Sequence, residues 1–326
     1  MNMLNRRRAL GTVAAATLAG AIPWARAQSM LKTAQIVTGF PAGTTPDVLG
    51  RRIADKLAKH YAEAIIVENR VGAGGQLAVA AVKSAPADGS SILITPMATM
   101  CVYPHTYKRL PYDPQADFLP VSNGVSFDSA IGVGPAVPDS VTDIRGLLAW
   151  MKANPKLSTI ASSATGSPLH FMVDMLSRSS GVDITHVGYR GSTAALADLL
   201  GGQVPAFSGP TGTFLAQPKL RVLATSGEKR SRFFPNVATF VEQGFSSMVF
   251  SDWMGFFVPA KTPPERIRQL NELLRNALLA PDTVLSLNTF GMESAPSTPE
   301  ALAGMLASDL KRWGPIVKAT GFTADS

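Results

Sequence analysis

The sequence predicts an α/β protein built from two parallel-sheet units. Short β-branched runs alternate with longer amphipathic runs, which is the order expected of a parallel sheet covered by helices. The alternation stops and restarts near the middle of the chain, so two α/β units are the simplest account of its 326 residues. Of these residues, 46% are hydrophobic and 16% are charged, which is enough apolar content for one large core or two medium ones.

The N-terminal segment has the composition of an export signal. Three arginines at positions 6–8 precede an alanine-rich apolar run, and the sequence ARA at positions 25–27 is a cleavage site. Either the Sec or the twin-arginine route fits, and both predict a periplasmic protein. The apolar run is shorter than the ~20 residues that a membrane-spanning helix needs. Cleavage after Ala27 removes four arginines and no acidic residue, which leaves 26 basic and 23 acidic residues, so the charge does not indicate nucleic-acid binding.

In the first unit, three predicted strands are separated by two predicted helices. The strands are AQIVTGF, AIIVENR and SILITP, and the helices are DVLGRRIADKLAKHY and GGQLAVAAVKSAP. The glycine run NRVGAGGQ before the second helix lacks the spacing of a phosphate-binding loop and is interpreted as a close-packed turn. Cys101 is the single cysteine, so no intrachain disulfide can form, and its apolar neighbours predict a buried side chain.

The second unit repeats the pattern. Its predicted strands are SAIGVGP, LSTIASSATGSP, DITHVGY and KLRVLATS, and its predicted helices are VTDIRGLLAWMKANP, HFMVDMLSRSSG and STAALADLLGG. Thr142 and Ser192 are the expected N-caps of the first and last of these helices. Two long amphipathic segments, PPERIRQLNELLRNALLA and TPEALAGMLASDLKRWGPIVKATG, predict helices near the end of the chain.

Three polar segments follow predicted strands: Phe40–Asp47, Thr95–Ala98 and Ser162–Ser167. In a parallel sheet, the carboxyl ends of the strands and the N-termini of the next helices meet at one edge, and ligands bind there. Backbone N–H groups, hydroxyls and positive helix ends together suit a carboxylate without requiring arginine. For any one of these loops, ordinary capping by serine and threonine is the alternative interpretation.

Ser167, His170 and Asp174 raise the alternative of an exported serine hydrolase. Their spacing of three and four residues would place them along one helical face. However, the sequence has no G-x-S-x-G nucleophile elbow, so we interpret His170 as a packing histidine and expect no catalytic residue. The four histidines and the single cysteine have no metal-ligand spacing, so neither a metal nor a cofactor is expected.

In order along the chain, six segments resemble the Bug family of extracytoplasmic solute receptors, which are linked to tripartite tricarboxylate transporters. The resemblance runs from about Gln35 to Gly321. The segments are VTGFPAGTTPDVLGRRIA, VENRVGAGGQLA, PHTYKRLPYDPQADFLPV, ASSATGSPLH, GVDITHVGYRGSTAALADLLGGQV and RVLATSGEKR.

The resemblance implies a type II periplasmic-binding-protein fold, with two α/β lobes joined by crossover strands and a ligand cleft between them. The expected parts are a signal peptide at 1–27, a first lobe at 28–129 plus 250–326, and a second lobe at 130–249. The implied function is capture of a small mono-, di- or aromatic carboxylate and its delivery to the membrane permease subunits of a tripartite transporter. The protein is expected to be a monomer and not an enzyme. A sensor that docks on a signalling partner has the same fold and remains an alternative.

The residues that the resemblance implies for ligand binding form two opposing jaws. The first jaw is the Phe40–Asp47 loop, and the second jaw is the Ala164–Ser167 segment. The implied residues are Phe40, Ala42, Gly43, Thr44, Thr45 and Asp47 in the first jaw, Thr95 on the same lobe, Ala164, Thr165, Gly166 and Ser167 in the second jaw, and Tyr189 and Ser208 behind it.

Asp47 and two departures from the family pattern qualify this assignment. Asp47 would repel an anion, so it is expected to orient the loop by accepting backbone N–H groups. Thr44 follows Gly43 where the family usually has a second glycine, and Pro46 precedes Asp47. The segment PAFSGPTG lacks the acidic residues usual after GGQV. The identity of the ligand is therefore not carried over.

Overall fold

The computed structural model describes residues 30–324, and the signal peptide predicted for residues 1–27 lies outside them. Within these residues, ten strands belong to one sheet. The strands are β1 (Leu31–Thr38), β2 (Ala62–Asn69), β3 (Ser91–Pro96), β4 (Phe118–Val133), β5 (Thr159–Ser162), β6 (Thr185–Gly188), β7 (Ala206–Pro210), β8 (Arg221–Thr225), β9 (Ser251–Pro259) and β10 (Glu293–Ser294). The helices are α1 (Thr45–Leu57), α2 (Gln76–Lys83), α3 (Tyr103–Thr106), α4 (Ile144–Ala153), α5 (Pro168–Ser180), α6 (Ser192–Leu200), α7 (Gly212–Leu215), α8 (Pro264–Leu279), α9 (Pro281–Asn288) and α10 (Pro299–Thr320).

The strand order is β2-β1-β3-β9-β4-β7-β5-β6, with β8 and β10 also paired to β4. Strands β1, β2 and β3 are parallel, as are β5, β6 and β7. The helices between them make the crossovers that parallel neighbours require. Strand β9 is antiparallel to β3 and to β4.

Two α/β lobes result, and β4 runs through both. Its first part, up to Asp128, pairs with β9, and its last part, from Ser129, pairs with β7. We call the part built on β1–β3 the first lobe and the part built on β5–β8 the second lobe. The change of partner lies beside the boundary expected after residue 129, although the exact lobe boundaries stay a prediction.

The core does not divide at the junction of the lobes. One buried cluster extends from Val37 and Leu93 in the first lobe, through Trp313 of α10, to Phe171 of α5 in the second. Cys101 is fully buried in the same cluster, which confirms the sequence prediction. From Leu31 onwards the described chain is accordingly one compact unit.

Several local predictions need correction. The N-cap of α4 is Asp143 rather than Thr142, because the Asp143 carboxylate accepts the N–H of Gly146 at 2.7 Å. The N-cap of α6 is Gly191 rather than Ser192. The sequence also did not predict the one-turn π-helix Ala98–Val102 that directly follows β3. Within residues 30–324, no helix is long and apolar enough to cross a membrane.

Candidate ligand-binding site

Strand directions bring the two jaws to facing edges of the lobes. Because β3 is antiparallel to β9, and β9 to β4, the strands of the first lobe point toward the second. Strand β7 is antiparallel to β4, so β5–β7 point back toward the first lobe. Pro96 is level with Val125 of β4, and Pro210 pairs with Ser129. The two sets of strand ends are therefore about 13 Å apart along β4, at 3.3 Å per residue.

Asp47 holds the first jaw in shape. The residue is 2% exposed, and its carboxylate accepts the Gly43 N–H at 2.8 Å and the Asn69 Nδ2–H at 2.9 Å. Asn69 also donates to the Phe40 carbonyl at 2.9 Å, so one side chain ties both ends of the loop. Arg51 pairs with Asp47 at 2.9 Å. Asp47 thus has the orienting contact expected of it, and Ala42 and Gly43 are left exposed at the tip.

The charge of Asp47 is stable in this setting. Burial would raise its pKa, but hydrogen bonds from Arg51, Gly43 and Asn69 together lower the pKa below the usual aspartate value. The carboxylate therefore stays ionised, and its negative charge is compensated within the loop. Thr44, the N-cap of α1, donates to the Pro41 carbonyl at 2.6 Å instead of capping the helix. The N-terminus of α1, including Thr45, consequently has no side-chain cap.

The glycine run behind the first jaw is a close-packed turn, as predicted. A methyl group added at Gly39 would lie 2.3 Å from the Gly75 Cα, so two backbone segments meet here without room for a side chain. Gly75 adopts a φ of 98° and lies against the Phe40 ring. This contact fixes Phe40 at the base of the jaw.

Thr95 is less accessible than the other predicted residues of the first lobe. It lies within β3, opposite Gly255 of β9, and is 2% exposed. The π-helix that begins two residues after β3 places Thr99 beside Gly75, with the Thr99 hydroxyl buried and without a hydrogen-bond partner in the described part of the chain. Thr95 therefore belongs to the same lobe as the first jaw, but it is buried within the sheet rather than exposed like the tip of the jaw.

The second jaw is a tight turn ahead of α5. Gly166 has a φ of 76°, and the Ser167 hydroxyl donates to the Ala164 carbonyl at 2.6 Å. Because that hydroxyl closes the turn, α5 also begins without a side-chain cap. Thr165 is exposed at the tip. Each jaw therefore presents small polar groups and an uncapped helix N-terminus, which favour an anion.

Tyr189 and Ser208 support the second jaw from behind. The Tyr189 hydroxyl donates to Asp198 at 2.6 Å, and the fully buried Ser208 hydroxyl donates to the Leu169 carbonyl in α5 at 2.7 Å. Both hydroxyl hydrogens are already used, so each group could offer a ligand only an oxygen lone pair.

A stacked histidine pair lies under the second jaw, and the sequence did not indicate it. The rings of His170 and His186 are 3.8 Å apart between centroids. The Gly166 N–H donates to His170 Nδ1 at 3.2 Å, and His186 Nε2 lies 2.7 Å from the Ser162 hydroxyl. Burial lowers the pKa of both imidazoles, that of His186 to about 3, and the nearby His170 adds to the lowering at His186. Two neutral rings can therefore stack without repulsion.

The hydrolase arrangement does not form. The Ser167 hydroxyl donates to a backbone carbonyl, and His170 Nδ1 accepts a backbone N–H, so in the described chain no hydrogen bond joins the Ser167 and His170 side chains. His170 Nε2 lies 3.5 Å from Asp174 Oδ2. The predicted packing and hydrogen-bonding role of His170 is the one that the structure contains. Among residues 30–324, no group of three or more His, Cys, Asp and Glu side chains could hold a metal ion.

A separate groove of about 360 Å³ lies where β4 changes its partner strand, and none of the predicted ligand residues lines it. Arg232 pairs with Glu293 across it at 3.0 Å. The groove is lined by as many basic as acidic side chains, which are Lys229, Arg230 and Arg232 and Asp128, Glu228 and Glu293. A groove whose charges already compensate each other has little to attract a small acid. The two jaws therefore remain the candidate site.

Comparison with known proteins identifies the family. A model of the tripartite tricarboxylate transporter family receptor matches residues 49–322. The chain belongs to this receptor family. Its relatives include the UPF0065 protein in the tcbD-tcbE intergenic region of Pseudomonas sp. strain P51, which is 32% identical over 286 residues that cover 86% of this chain and 84% of that protein. BugT of Bordetella pertussis is 30% identical over 291 residues, covering 88% and 89%.

Solved structures of similar receptors have the same fold. Rpa4515 of R. palustris with adipate has a TM-score of 0.81 and 27% identity, and covers 90% of this chain and 98% of that one. MatC of Rhodopseudomonas palustris with bound malate has a TM-score of 0.77 and 26% identity, covering 87% and 98%. The periplasmic binding protein BugD has a TM-score of 0.78 and 27% identity, covering 90% and 99%.

These comparisons confirm the resemblance to Bug receptors and the periplasmic-binding-protein fold. A tripartite tricarboxylate transporter receptor is a solute-binding protein rather than an enzyme. Members of this family are periplasmic binding proteins. The jaws described above are therefore candidate parts of a solute-binding cleft.

Proposed function

We propose that this receptor captures a small organic carboxylate between its two jaws in the periplasm and delivers it to the permease subunits of a tripartite transporter. Export would depend on the segment at residues 1–27. The observation that carries the proposal is the pair of uncapped helix N-termini, α1 and α5, at facing edges of the two lobes. Similar receptors hold adipate and malate, which supports a carboxylate as the ligand.

The neutral character of the jaws explains how an acid would be held. Arg51, the cation beside the first jaw, is paired with Asp47. Backbone N–H groups, hydroxyls and helix ends would therefore supply the attraction, and bridging water could complete it. Each lobe alone offers half of these groups, so binding should favour the arrangement that brings both jaws onto the ligand.

A thermal-shift screen tests the ligand class. We expect adipate, malate or another mono-, di- or aromatic carboxylate to raise the melting temperature, since a ligand at 100 times its Kd adds roughly 2.7 kcal/mol of stability. Matched amides and alcohols should have no effect. If no acid in a broad panel shifts the transition, the proposed function is wrong.

Two glycine substitutions test the jaws. Gly43 has a φ of 79° and Gly166 a φ of 76°. We expect the substitution of either one by alanine to weaken ligand binding at least about tenfold, because the jaw backbone must then leave the left-handed region or carry strain. Gly181→Ala is the matched control: it has a φ of 66°, lies at the other end of α5 and has open space around it. Isothermal titration calorimetry should give wild-type affinity for Gly181→Ala. Equal losses at all three positions would contradict the assignment.

Delivery to a permease requires a separate experiment. The receptor should stimulate carboxylate uptake into vesicles that contain the permease subunits, and Gly166→Ala should not. Copurification with a signalling protein instead of a permease would favour a sensor. Size-exclusion chromatography with light scattering checks the expected monomer.

A further inference from the structure

We propose that Phe322, a residue of the C-terminal tail, positions the second jaw for ligand binding by bracing His170. The inference rests on the proposed function in so far as it concerns affinity. It concerns a residue outside both jaws, in a segment for which no functional role is predicted from the sequence.

The tail that carries Phe322 is tied to the first lobe. Helix α10 ends at Thr320, and Gly321 follows with a φ of 70°. The Phe322 N–H donates to the Thr320 hydroxyl at 3.1 Å, and two residues later the Ala324 N–H donates to the Thr106 carbonyl at 2.8 Å. Thr106 belongs to α3, which follows β3 by way of the π-helix. Hydrogen bonds therefore hold the tail on both sides of Phe322.

The ring of Phe322 lies against the second lobe. It meets His170 edge-on, with 4.9 Å between centroids and an interplanar angle of 84°, and it lies 5.8 Å from Phe171. A methyl group added at Gly166 would be 3.1 Å from Phe322 Cε1, so the ring is next to the jaw backbone itself. Phe322 thus links a tail anchored on the first lobe to the jaw of the second.

His170 connects Phe322 to the backbone of the second jaw. Its Nδ1 accepts the Gly166 N–H at 3.2 Å, and its ring stacks on His186 and on Phe171, with 3.8 and 5.2 Å between centroids. Phe322 adds a perpendicular contact to these two stacked ones, and together they hold the ring orientation that directs Nδ1 toward the Gly166 N–H. Without Phe322, His170 would lose its perpendicular contact, and the Gly166 N–H would have a less firmly held acceptor.

The surroundings of Phe322 permit substitution. The residue is half-buried and borders an open groove of about 470 Å³, formed mainly by the end of α10 together with His105. It is near the end of the chain and outside the fully buried core. Phe322→Ala should therefore fold, and the matched control is Phe290→Ala, another partly exposed phenylalanine, which lies in the turn before β10.

The experiment combines calorimetric titration with hydrogen exchange at Gly166. For Phe322→Ala we expect about three- to tenfold weaker binding of adipate or malate, the range that one aromatic contact accounts for. The Gly166 amide should exchange at least about threefold faster with or without ligand, because the same contact protects it. Phe322→Tyr should restore both values, and Phe290→Ala should change neither.

The outcomes separate this inference from the proposed function. Wild-type affinity and wild-type Gly166 exchange in Phe322→Ala would overturn the positioning role while leaving the receptor function intact. Weaker binding with unchanged Gly166 exchange would also overturn it, since the effect would not pass through His170. If the wild-type protein binds neither acid, the choice of ligand is wrong, and Gly166 exchange alone then decides the role of Phe322.

Discussion

Asp252 illustrates how the junction of the lobes accommodates a buried acid. It lies on β9, is 6% exposed and accepts the Ser129 hydroxyl of β4 at 3.1 Å. Burial raises its pKa to about 7, the Ser129 hydrogen bond opposes that rise, and the charges of Asp309 and Asp128 add to it. A folded-state pKa above the unfolded value of 3.8 means that the folded protein holds this proton more tightly. Stability from this group is therefore full below pH 3.8 and is lost as the pH rises through 7.

Replacing Asp252 with asparagine should remove that loss. We expect Asp252→Asn to be more stable than wild type at pH 8.5, by about 2–4 kcal/mol, and within about 1 kcal/mol of it at pH 4.5. Urea denaturation at both pH values measures the difference. The control is Asp55→Asn, since Asp55 is exposed on α1. A pH-independent effect of Asp252→Asn would contradict the buried-charge explanation.

The histidine pair under the second jaw should have the opposite pH dependence. Burial lowers the pKa of both His170 and His186, so the unfolded chain takes up protons first as the pH falls below about 6.5. Their contribution to stability is therefore present above pH 6.5 and declines toward the lower folded pKa values. For His186, whose folded pKa is about 3, the unfolding free energy should fall by up to about 1.4 kcal/mol per pH unit between pH 6.5 and 5.

Nuclear magnetic resonance checks the same groups directly. The ring signals of His186 should not titrate between pH 8 and 5.5, and the titration midpoint of His170 should be lower in the folded protein than in urea. His186→Asn should make the decline of stability with falling pH shallower. A midpoint near 6.5 for either ring in the folded protein would show that the pair is not held neutral.

At the scale of the elements, the backbone geometry at the start of a helix decides which residue is its N-cap, and the amino-acid preference for N-cap positions alone does not. Thr142 and Asp143 are both good N-cap residues, and both are exposed. The structure selects Asp143, whose backbone is extended and whose carboxylate reaches the Gly146 N–H. Asp143→Ala should therefore cost about 1 kcal/mol, and Thr142→Ala should cost nearly nothing. Chemical denaturation of the two variants tests this, and equal costs would contradict it.

The shape of each jaw also depends on how the helix that follows it begins. In each case the residue that opens the helix uses its hydroxyl inside the loop: Thr44 donates to Pro41, and Ser167 donates to Ala164. These bonds shape the turn while leaving the helix N–H groups available. A serine or threonine before a helix normally predicts a cap, so the sequence could indicate where the loop ends but not that both hydroxyls face inward.

At the scale of the whole molecule, the shared core predicts cooperative unfolding. The buried cluster joins residues of both lobes, and Trp313 of α10 lies in it, 6.2 Å from Phe171 and 5.5 Å from Phe250. Near- and far-ultraviolet circular dichroism should therefore report a single urea transition with the same midpoint. Trp313→Ala should lower the stability by about 3–5 kcal/mol. Two separated transitions in the wild-type protein would show that the lobes unfold independently.

Much of the fold could be predicted because short-range patterns carry it. The alternation of strands and helices in the first lobe and the strand ends that bear the jaws follow from periodicity and turn chemistry. Strand β9 could not be predicted from such patterns. Its sequence, SDWMGFFVP, is buried along all but its first residue, and an apolar run without alternation does not distinguish a strand from a buried helix segment. Its pairing with β3 and with the first part of β4 decided that it is a strand of the sheet.

The sequence by itself determined the family, the two α/β units and the two polar loops of the jaws, because each is written in residues that are neighbours along the chain. Only the tertiary structure decided that His186 stacks on His170, that Phe322 reaches the second jaw from the far end of the chain, and that the lobes share one core. These contacts join residues separated by 16 to more than 150 positions, and no local preference encodes a partner at that distance. They form only when burial of apolar surface brings the elements together.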